Sequence, residues 1–199
     1  MGKTFFISDT HFNHTNILKY EAPSRPFETV EDMNAELVRR WNAKVSPDDS
    51  VYILGDFCFD VKGVFVNDLL RSLNGHKYLI RGNHDLFTRS SNFDPSLIEW
   101  IKDYCEAKID GHFVCMFHYP IAVWNRKHYG AIHLYGHVHT PKGDSVEACA
   151  RLVNAYNVGA DVNNLEPMTL SELMDKYGYT PPQINNNNSD NDNISNKEA

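Results

Sequence analysis

Short apolar runs alternate with amphipathic segments through the first half of the chain. Met33, Leu37 and Trp41 recur at four-residue spacing. This periodicity predicts an amphipathic helix over 30–44, and a second amphipathic segment predicts a helix over 64–73. Continuous apolar runs of strand length predict three β-strands, over residues 3–7, 50–54 and 77–80. Because strands and helices alternate in this order, the segment is typical of β–α units that build a parallel sheet.

A β-hairpin is predicted in the middle of the chain, where Asp110-Gly111 separates two apolar runs. Its strands would cover 104–109 and 112–117. In the register that this turn sets, Cys105 and Cys115 lie on opposite faces, which argues against a disulfide between them. The four cysteines show no C-x-x-C spacing, so reduced thiols are expected.

Weaker patterns predict the remaining elements of the second half. A helix is expected over 95–103, and an irregular loop is expected over 119–131. Two further apolar runs predict strands over 132–135 and 152–158. Thr169 begins a capping-box pattern that predicts a short last helix.

Length and composition limit the organisation and the partners of the chain. A length of 199 residues suits one domain, expected over 1–182, while the Asn/Ser/Asp-rich residues 183–199 predict a disordered tail. The net charge of −7 argues against broad binding to nucleic acid or anionic membranes, but not against a phosphate substrate beside cations. No stretch approaches the roughly 20 apolar residues that cross a bilayer, and the first apolar run is too short for a signal peptide. We therefore expect a cytoplasmic protein.

Polar side chains of the kind that bind metals follow the ends of five predicted strands. Asp9 and His11 stand two positions apart after the first strand, so they share a face and can point at one ion. Four further pieces repeat the arrangement downstream: Gly55-Asp56, Gly82-Asn83-His84-Asp85, Phe117-His118 and Gly136-His137-Val138-His139. Taken singly, each acidic or amide side chain could instead cap a helix. Together the pieces predict one shared site at the carboxyl ends of the strands.

The candidate ligands are carboxylates, imidazoles and an amide, without cysteine. Such a set suits hydrolytic ions such as Mn²⁺, Fe²⁺ or Zn²⁺. The candidates are too many for one ion and sufficient for two ions that share a carboxylate: Asp9, His11, Asp56, Asn83, His118, His137 and His139. We predict two divalent metal ions, with Mn²⁺ preferred.

The five pieces together resemble the calcineurin-like metallophosphoesterase superfamily. Its pattern of D-x-H, G-D, G-N-H-[DE], a lone H and G-H-x-H is present in that order between Asp9 and His139. The resemblance implies an α/β fold of the four-layer α/β/β/α sandwich type, with a dinuclear metal site at the sheet edge. The ligands that it implies are Asp9, His11, Asp56 and His139 for one ion, and Asp56, Asn83, His118 and His137 for the other.

The same resemblance implies roles for residues beside the metal ions. His84 would reach the bound phosphate and either donate a proton to the leaving oxygen or stabilise the transition state. Asp85 and Asp60 are alternative partners that could orient its ring. Asn83, His14 and Arg25 are candidates for contact with the substrate. For His14 a surface or supporting role is equally open, and Arg25 fits an ordinary surface arginine better than a phosphate clamp.

Other aromatic and histidine residues have no place in the metal pattern. Trp124 and Tyr129 could stack on a base or pack the 119–131 loop, and we prefer packing. The remaining histidines are expected to be structural or exposed, and they are His76, His112, His128 and His133.

The expected activity is that of a dinuclear metal-dependent phosphoesterase acting on a phosphodiester or phosphomonoester of a small molecule or nucleotide. The nucleophile implied by the resemblance is a metal-bridging hydroxide. Family members that act on phosphoproteins carry an arginine soon after the Gly-Asp piece, whereas Asp56 is followed by Phe57-Cys58-Phe59-Asp60. This departure disfavours a phosphoprotein substrate, and we prefer a phosphodiesterase to a phosphatase. The alternatives are a non-catalytic binding scaffold of the same fold and a nuclease acting on short nucleic-acid ends. The oligomeric state stays open.

Overall fold

A computed structural model describes residues 2–182, and the tail predicted over 183–199 lies outside the described residues. The strands are β1 Thr4–Ile7, β2 Ser50–Ile53, β3 His76–Ile80, β4 Trp100–Lys102, β5 Tyr104–Ile109, β6 His112–Phe117, β7 Ile132–Tyr135, β8 Ala155–Asn157 and β9 Met168–Thr169. The α-helices are α1 Ile17–Tyr20, α2 Val30–Lys44, α3 Val64–Ser72, α4 Asp144–Ala150 and α5 Leu170–Tyr177. Within the described range, no helix has the length and apolar character needed to cross a membrane.

The first sheet has the strand order β4-β3-β2-β1-β9. Strands β1 to β4 run parallel, with Phe5 opposite Val51 and Tyr52 opposite Tyr78, and β9 is antiparallel to β1. Helices α2 and α3 connect successive parallel strands, which confirms the predicted β–α units. Because the carboxyl ends of parallel strands point the same way, the loops after β1, β2 and β3 leave the sheet at one edge.

The second sheet has the order β5-β6-β7-β8 and contains the predicted hairpin. Ile109 lies opposite His112 and Cys105 opposite Met116, as expected, and the cysteines are free. Strands β6, β7 and β8 run parallel. A bridge between Ser8 and Gly159 joins the end of β1 to the chain after β8. The carboxyl ends of the parallel strands in both sheets therefore meet.

Three apolar clusters separate four layers. Helix α2 packs Met33, Leu37 and Trp41 against the first sheet, and burial of side chains of this size contributes about 1.5–3 kcal/mol each. A second cluster, which includes Phe6 and Leu134, fills the space between the sheets. A third cluster covers the outer face of the second sheet beneath α4 and the 119–131 loop. The predicted α/β/β/α sandwich is confirmed.

Two expectations for the second half are wrong. In place of a helix over 95–103, a 3₁₀ turn at Pro95–Leu97 leads into strand β4, which pairs with β3. The Trp100 ring lies 5.4 Å from the ring of Tyr78, a contact between chain segments that local helix propensity does not reflect. The strand expected over 152–158 is shortened to β8, and α4 precedes it. Helix α4 has no buried residue and so left no apolar periodicity in the sequence.

Candidate metal centre

The seven candidate ligands converge where the two sheets meet. Asp9 and His11 follow β1, and Asp56 and Asn83 follow β2 and β3 of the same sheet. The three other histidines follow β6 and β7 of the second sheet. A backbone hydrogen bond of 3.0 Å from Ser8 to Val158 draws the two edges together. The structure therefore brings together the side chains that the sequence places at strand ends.

The backbone at this edge is unusual. Five of the candidate ligands adopt the left-handed conformation, with φ between 46° and 71°, and they are Asp9, His11, Asp56, His137 and His139. Each such residue costs about 1–3 kcal/mol unless surrounding contacts enforce it, and such residues cluster at functional sites. For Asp9 and His11, hydrogen bonds of 3.0 Å from their backbone N–H groups to carbonyls of the β2 loop supply that enforcement.

The ligand atoms form two compact groups. Asp9, His11 and His139 form the first group, which we call the inner group. Asp56, His118 and His137 form the second, which we call the outer group because His137 is exposed. In each group the ligand atoms lie within 4.8 Å of one another. Either group has the size and chemistry of a single cation site.

Asp56 lies between the two groups. Its Oδ2 is 3.8 Å from Nε2 of His11 and 3.5 Å from Nε2 of His118. Its Oδ1 accepts a hydrogen bond of 2.8 Å from the backbone N–H of His84. Burial by itself raises the pKa of Asp56, but the hydrogen bond and charge of His118 hold it at about 2. An ionised carboxylate in this position can serve cations on both sides.

One atom of the inner group supports metal binding directly. Nε2 of His11 is buried, and it has no hydrogen-bond partner within residues 2–182. Buried polar atoms nearly always have a partner, so this lone pair marks the position of a partner of another kind. Burial, reinforced by the neighbouring His139, lowers the pKa of His11 to about 2, so the ring is neutral at pH 7. A neutral imidazole beside carboxylates fits a divalent cation.

In two of the other ligand histidines, His118 and His139, Nδ1 is held by a neighbouring oxygen. Nδ1 of His118 lies 2.7 Å from the carbonyl oxygen of Leu54, and Nδ1 of His139 lies 2.7 Å from Oδ2 of Asp161. A proton on Nδ1 donated to these oxygens leaves Nε2 as the nitrogen available to a cation. Asp161, which follows β8, is a residue that the sequence analysis did not consider. Its signal in the sequence is an acidic residue just after Gly159, where the last long apolar run ends.

Close backbone approach makes glycine necessary at two of the loops. A Cβ on Gly136 would overlap the side chains of Ser8 and Asp9, and a Cβ on Gly82 would overlap Asp56. In the space left by Gly136, the backbone N–H of His137 donates to Oδ2 of Asp9 at 2.9 Å. The glycines of the sequence motifs therefore let the ligand carboxylates lie against the neighbouring backbone.

Asp85 supports the loop that carries Asp56. Its buried carboxylate accepts hydrogen bonds from the backbone N–H groups of Asp56 at 2.9 Å and of Phe57 and Gly82 at 2.8 Å. These three bonds join the loops after β2 and β3. Burial raises the pKa of Asp85 to about 6 against the effect of these donors.

Replacing Asp85 with alanine is expected to lower the free energy of unfolding by about 3 kcal/mol, because three backbone donors lose a charged acceptor. Urea denaturation measures this difference. Asp175→Ala, at an exposed position of α5, is the matched control and should change stability little. A loss at Asp85 below about 1 kcal/mol would contradict the role assigned to these hydrogen bonds.

Arg25 is neither a phosphate clamp nor a surface arginine, which corrects both expectations. Its side chain is fully buried and forms an ion pair with Asp161, with Nε 2.7 Å from Oδ1. Its Nη1 donates to the carbonyl oxygen of Thr10 at 2.8 Å, and its Nη2 donates to that of Asp9 at 2.6 Å. With every nitrogen engaged inside the protein, the guanidinium cannot reach a substrate.

His84 and His14 lie beside the ligand groups, and Phe59 contacts both rings. Phe59 stacks on His14 at a centroid distance of 4.0 Å and lies 4.9 Å from His84. Nδ1 of His14 is 3.0 Å from Nδ1 of His11, so His14 supports a ligand ring. The carboxylates of Asp85 and Asp60 both accept from backbone N–H groups. Among residues 2–182 neither carboxylate has a hydrogen bond to the His84 ring, so the expectation that one of them orients this ring is wrong.

Trp124, Tyr129, His128 and His133 are not part of either ligand group. Trp124 is buried and donates to the carbonyl oxygen of Ala131 at 3.0 Å, which confirms that it packs the loop. Tyr129 and His128 are exposed. His133 is fully buried, and burial lowers its pKa to about 4.

Comparison with known families settles the class of the protein. The model of the calcineurin-like phosphoesterase superfamily domain matches residues 3–170. The chain belongs to this superfamily. This membership confirms the resemblance carried by the five strand-end motifs and places the chain among metal-dependent hydrolases of phosphoesters.

Proteins similar to this chain occur in an archaeon, a phage and a bacterium. The uncharacterized protein MJ1445 of Methanocaldococcus jannaschii is 36% identical over 175 residues, which cover 87% of this chain and 90% of that protein. The Gene 66 protein of Mycobacterium phage L5 is 34% identical over 87 residues, which cover 43% of this chain and 41% of that protein. The crystal structure of AQ665 from Aquifex aeolicus, a protein of unknown function, is similar with a TM-score of 0.68 and 26% identity. That similarity covers 88% of this chain and 99% of AQ665.

Proposed function

We propose that this protein is a phosphoesterase with two divalent cations bound where the edges of the two sheets meet. The position of Asp56 between two compact ligand groups carries the proposal. The ligands are Asp9, His11, Asp56 and His139 for the inner ion, and Asp56, Asn83, His118 and His137 for the outer ion. Asn83 belongs with the outer group because its Oδ1 lies 3.2 Å from Nε2 of His118.

Divalent cations held by these groups would supply hydroxide at neutral pH and neutralise charge on the phosphoryl oxygens. The different burial of the ligands sets the side from which a substrate can approach. Asp9 and His11 are buried, whereas Asn83 and His137 are exposed, so the centre opens to solvent on the outer side. A phosphoester therefore approaches from the side of the outer group. In the inner group, Asp9 and His11 face away from bulk water.

His84 is the proposed catalytic residue. Its backbone N–H is bound to Asp56, and its half-buried ring lies 5.7 Å from the ring of His11. The ring can therefore reach the oxygen that leaves the phosphorus atom when substrate occupies the open side. An imidazole N–H placed there can donate a proton to that oxygen.

His84→Ala is expected to lower kcat by about 100-fold on a phosphodiester with an alkyl leaving group, since that group needs a proton as it departs. The loss should be much smaller with p-nitrophenolate, which leaves readily as an anion. Parallel kinetics on the two substrates measure the difference, with the exposed His128→Ala as a control. An equal loss on both substrates, with metal content unchanged, would contradict proton donation by His84.

The preferred substrate class is a phosphodiester of a small molecule or nucleotide, and the preferred ion is Mn²⁺. The positions after Asp56 support a small substrate, because Phe57 and Cys58 are buried and neither supplies the arginine of the phosphoprotein enzymes. Hard oxygen ligands together with imidazoles suit Mn²⁺.

A screen of metals against substrates tests the proposal. Metal-free protein is combined with Mn²⁺, Zn²⁺, Fe²⁺ or Mg²⁺ and assayed on mono- and bis-p-nitrophenyl phosphate and on 2′,3′- and 3′,5′-cyclic nucleotides. The expected result is turnover of the diesters with Mn²⁺ and little turnover of the monoester. Protein that binds two ions per chain yet hydrolyses none of these substrates would contradict the proposal and favour a binding scaffold. Trimming of single-stranded oligonucleotides from their ends would favour a nuclease.

A further inference from the structure

The two ligand groups are supported in different ways. In the inner group, the ring of His139 is held by a carboxylate, that of Asp161, at 2.7 Å. In the outer group, the ring of His118 is held by a neutral carbonyl, that of Leu54, at 2.7 Å. The ring of His137 is exposed and lies 4.5 Å from the ring of Tyr119.

Asp161 is itself fixed by a buried network. Its Oδ1 accepts from Nε of Arg25 at 2.7 Å and from Oγ of Ser24 at 2.7 Å. Its Oδ2 accepts from Nη2 of Arg25 at 3.0 Å as well as from His139. Neither charged side chain of the pair is exposed. This bidentate contact with Arg25 fixes the orientation of the Asp161 carboxylate as well as its position.

The same guanidinium also holds the other end of the inner group. Arg25 donates to the carbonyl oxygens of Asp9 and Thr10, within the left-handed stretch that aims Asp9 and His11. One buried arginine therefore holds the backbone of Asp9 and of Thr10, the residue before His11, and holds the ring of His139 through Asp161. The outer group is supported differently: Asp85 accepts hydrogen bonds from the backbone N–H groups of Asp56 and Gly82, whereas the ligands Asn83 and His137 are exposed.

We propose that Asp161, fixed by Arg25, is a positioning residue that makes the inner group the tighter of the two cation sites. The inference rests on the proposed binding of two divalent cations. A carboxylate that accepts from Nδ1 orients the imidazole and makes its Nε2 a stronger donor to a cation. Loss of such a partner typically weakens metal affinity by about 10–100-fold. The outer ion, held by more exposed ligands, is the one that exchanges.

The test is a titration of metal-free protein with Mn²⁺. Calorimetry measures the Kd values, and electron paramagnetic resonance distinguishes an isolated Mn²⁺ from a coupled pair. Wild-type protein should bind two ions with different Kd values. Asp161→Asn keeps the shape of the side chain and removes its charge. It should raise the lower Kd by about 10–100-fold and leave the higher Kd unchanged. Asp175→Asn, exposed on α5, is the matched control.

A second pair of variants assigns the effect to the inner group. His137→Ala should leave one ion, bound with the lower Kd, and adding Asp161→Asn should then weaken that remaining ion by the same factor. Where Asp161→Asn alone fails to fold because Arg25 loses its partner, Arg25→Met/Asp161→Asn removes both charges and should show the same loss at the inner group.

The outcomes separate this inference from the proposed function. Wild-type protein that binds fewer than two ions overturns both. Two ions in the wild type, with both Kd values unchanged in Asp161→Asn or both raised equally, overturn only the positioning role of Asp161. A rise confined to the higher Kd would also overturn it, because the outer group would then be the one that depends on Asp161.

Discussion

Replacing Asp56 with asparagine is expected to lower kcat/KM for phosphoester hydrolysis by about 1,000-fold, because one carboxylate serves both cation sites. Its Oδ2 lies 3.8 Å from Nε2 of His11 and 3.5 Å from Nε2 of His118. Asparagine keeps the size of the side chain and the acceptor for the His84 backbone. It removes the negative charge that offsets two cations at once.

The measurement is steady-state hydrolysis of bis-p-nitrophenyl phosphate with added Mn²⁺, together with the metal content of each variant. Asp48→Asn is a matched control, because Asp48 is exposed in the turn before β2, at the opposite end of that strand. Its activity should equal that of the wild type. Metal-dependent turnover that survives in Asp56→Asn would contradict the assignment of Asp56 as the shared ligand.

Replacing Arg25 with methionine is expected to lower the free energy of unfolding by about 3–5 kcal/mol, the usual cost of removing one partner of a buried ion pair. Both side chains of the pair are fully buried, so Asp161 would keep a charge without its main partner. Burial alone raises the pKa of Asp161, but hydrogen bonds from His139 and Arg25 hold it well below its usual value. The carbonyl oxygens of Asp9 and Thr10 would lose a donor as well.

Chemical denaturation in the presence of a chelator isolates this effect from metal binding. Arg39→Met is the control, because the Arg39 side chain is exposed and its ion pair with Glu36 lies at the surface. The double variant Arg25→Met/Asp161→Asn should be more stable than Arg25→Met, since it removes the uncompensated carboxylate. A double variant that is less stable than Arg25→Met would contradict this explanation.

The sequence was sufficient for the features that local pattern and chain order determine. The apolar periodicity of residues 30–44 predicted α2 with its bounds, and Asp110-Gly111 predicted the hairpin with its register. The ligands could be grouped because each follows a strand, and parallel strands deliver their ends to one edge. The motifs need glycine because a Cβ at Gly82 would overlap the carboxylate of Asp56 and a Cβ at Gly136 would overlap that of Asp9.

The errors share a physical cause, which is interaction between residues far apart in the chain. Trp100 lies in a strand because β4 pairs with the edge of β3 and because the Trp100 ring packs against the ring of Tyr78. Arg25 is buried because it pairs with Asp161, which lies 136 positions later. Neither residue carries a local pattern that reveals its partner. The support of His139 by Asp161 therefore became visible only in the folded chain.

The most direct test of a centre with two cations is stepwise return of Mn²⁺ to metal-free protein while hydrolysis of bis-p-nitrophenyl phosphate is measured. We expect no turnover without metal, little turnover after one equivalent fills the inner group, and full turnover after the second equivalent. Turnover by the metal-free protein, or full turnover at one equivalent, would contradict a centre in which two cations share Asp56.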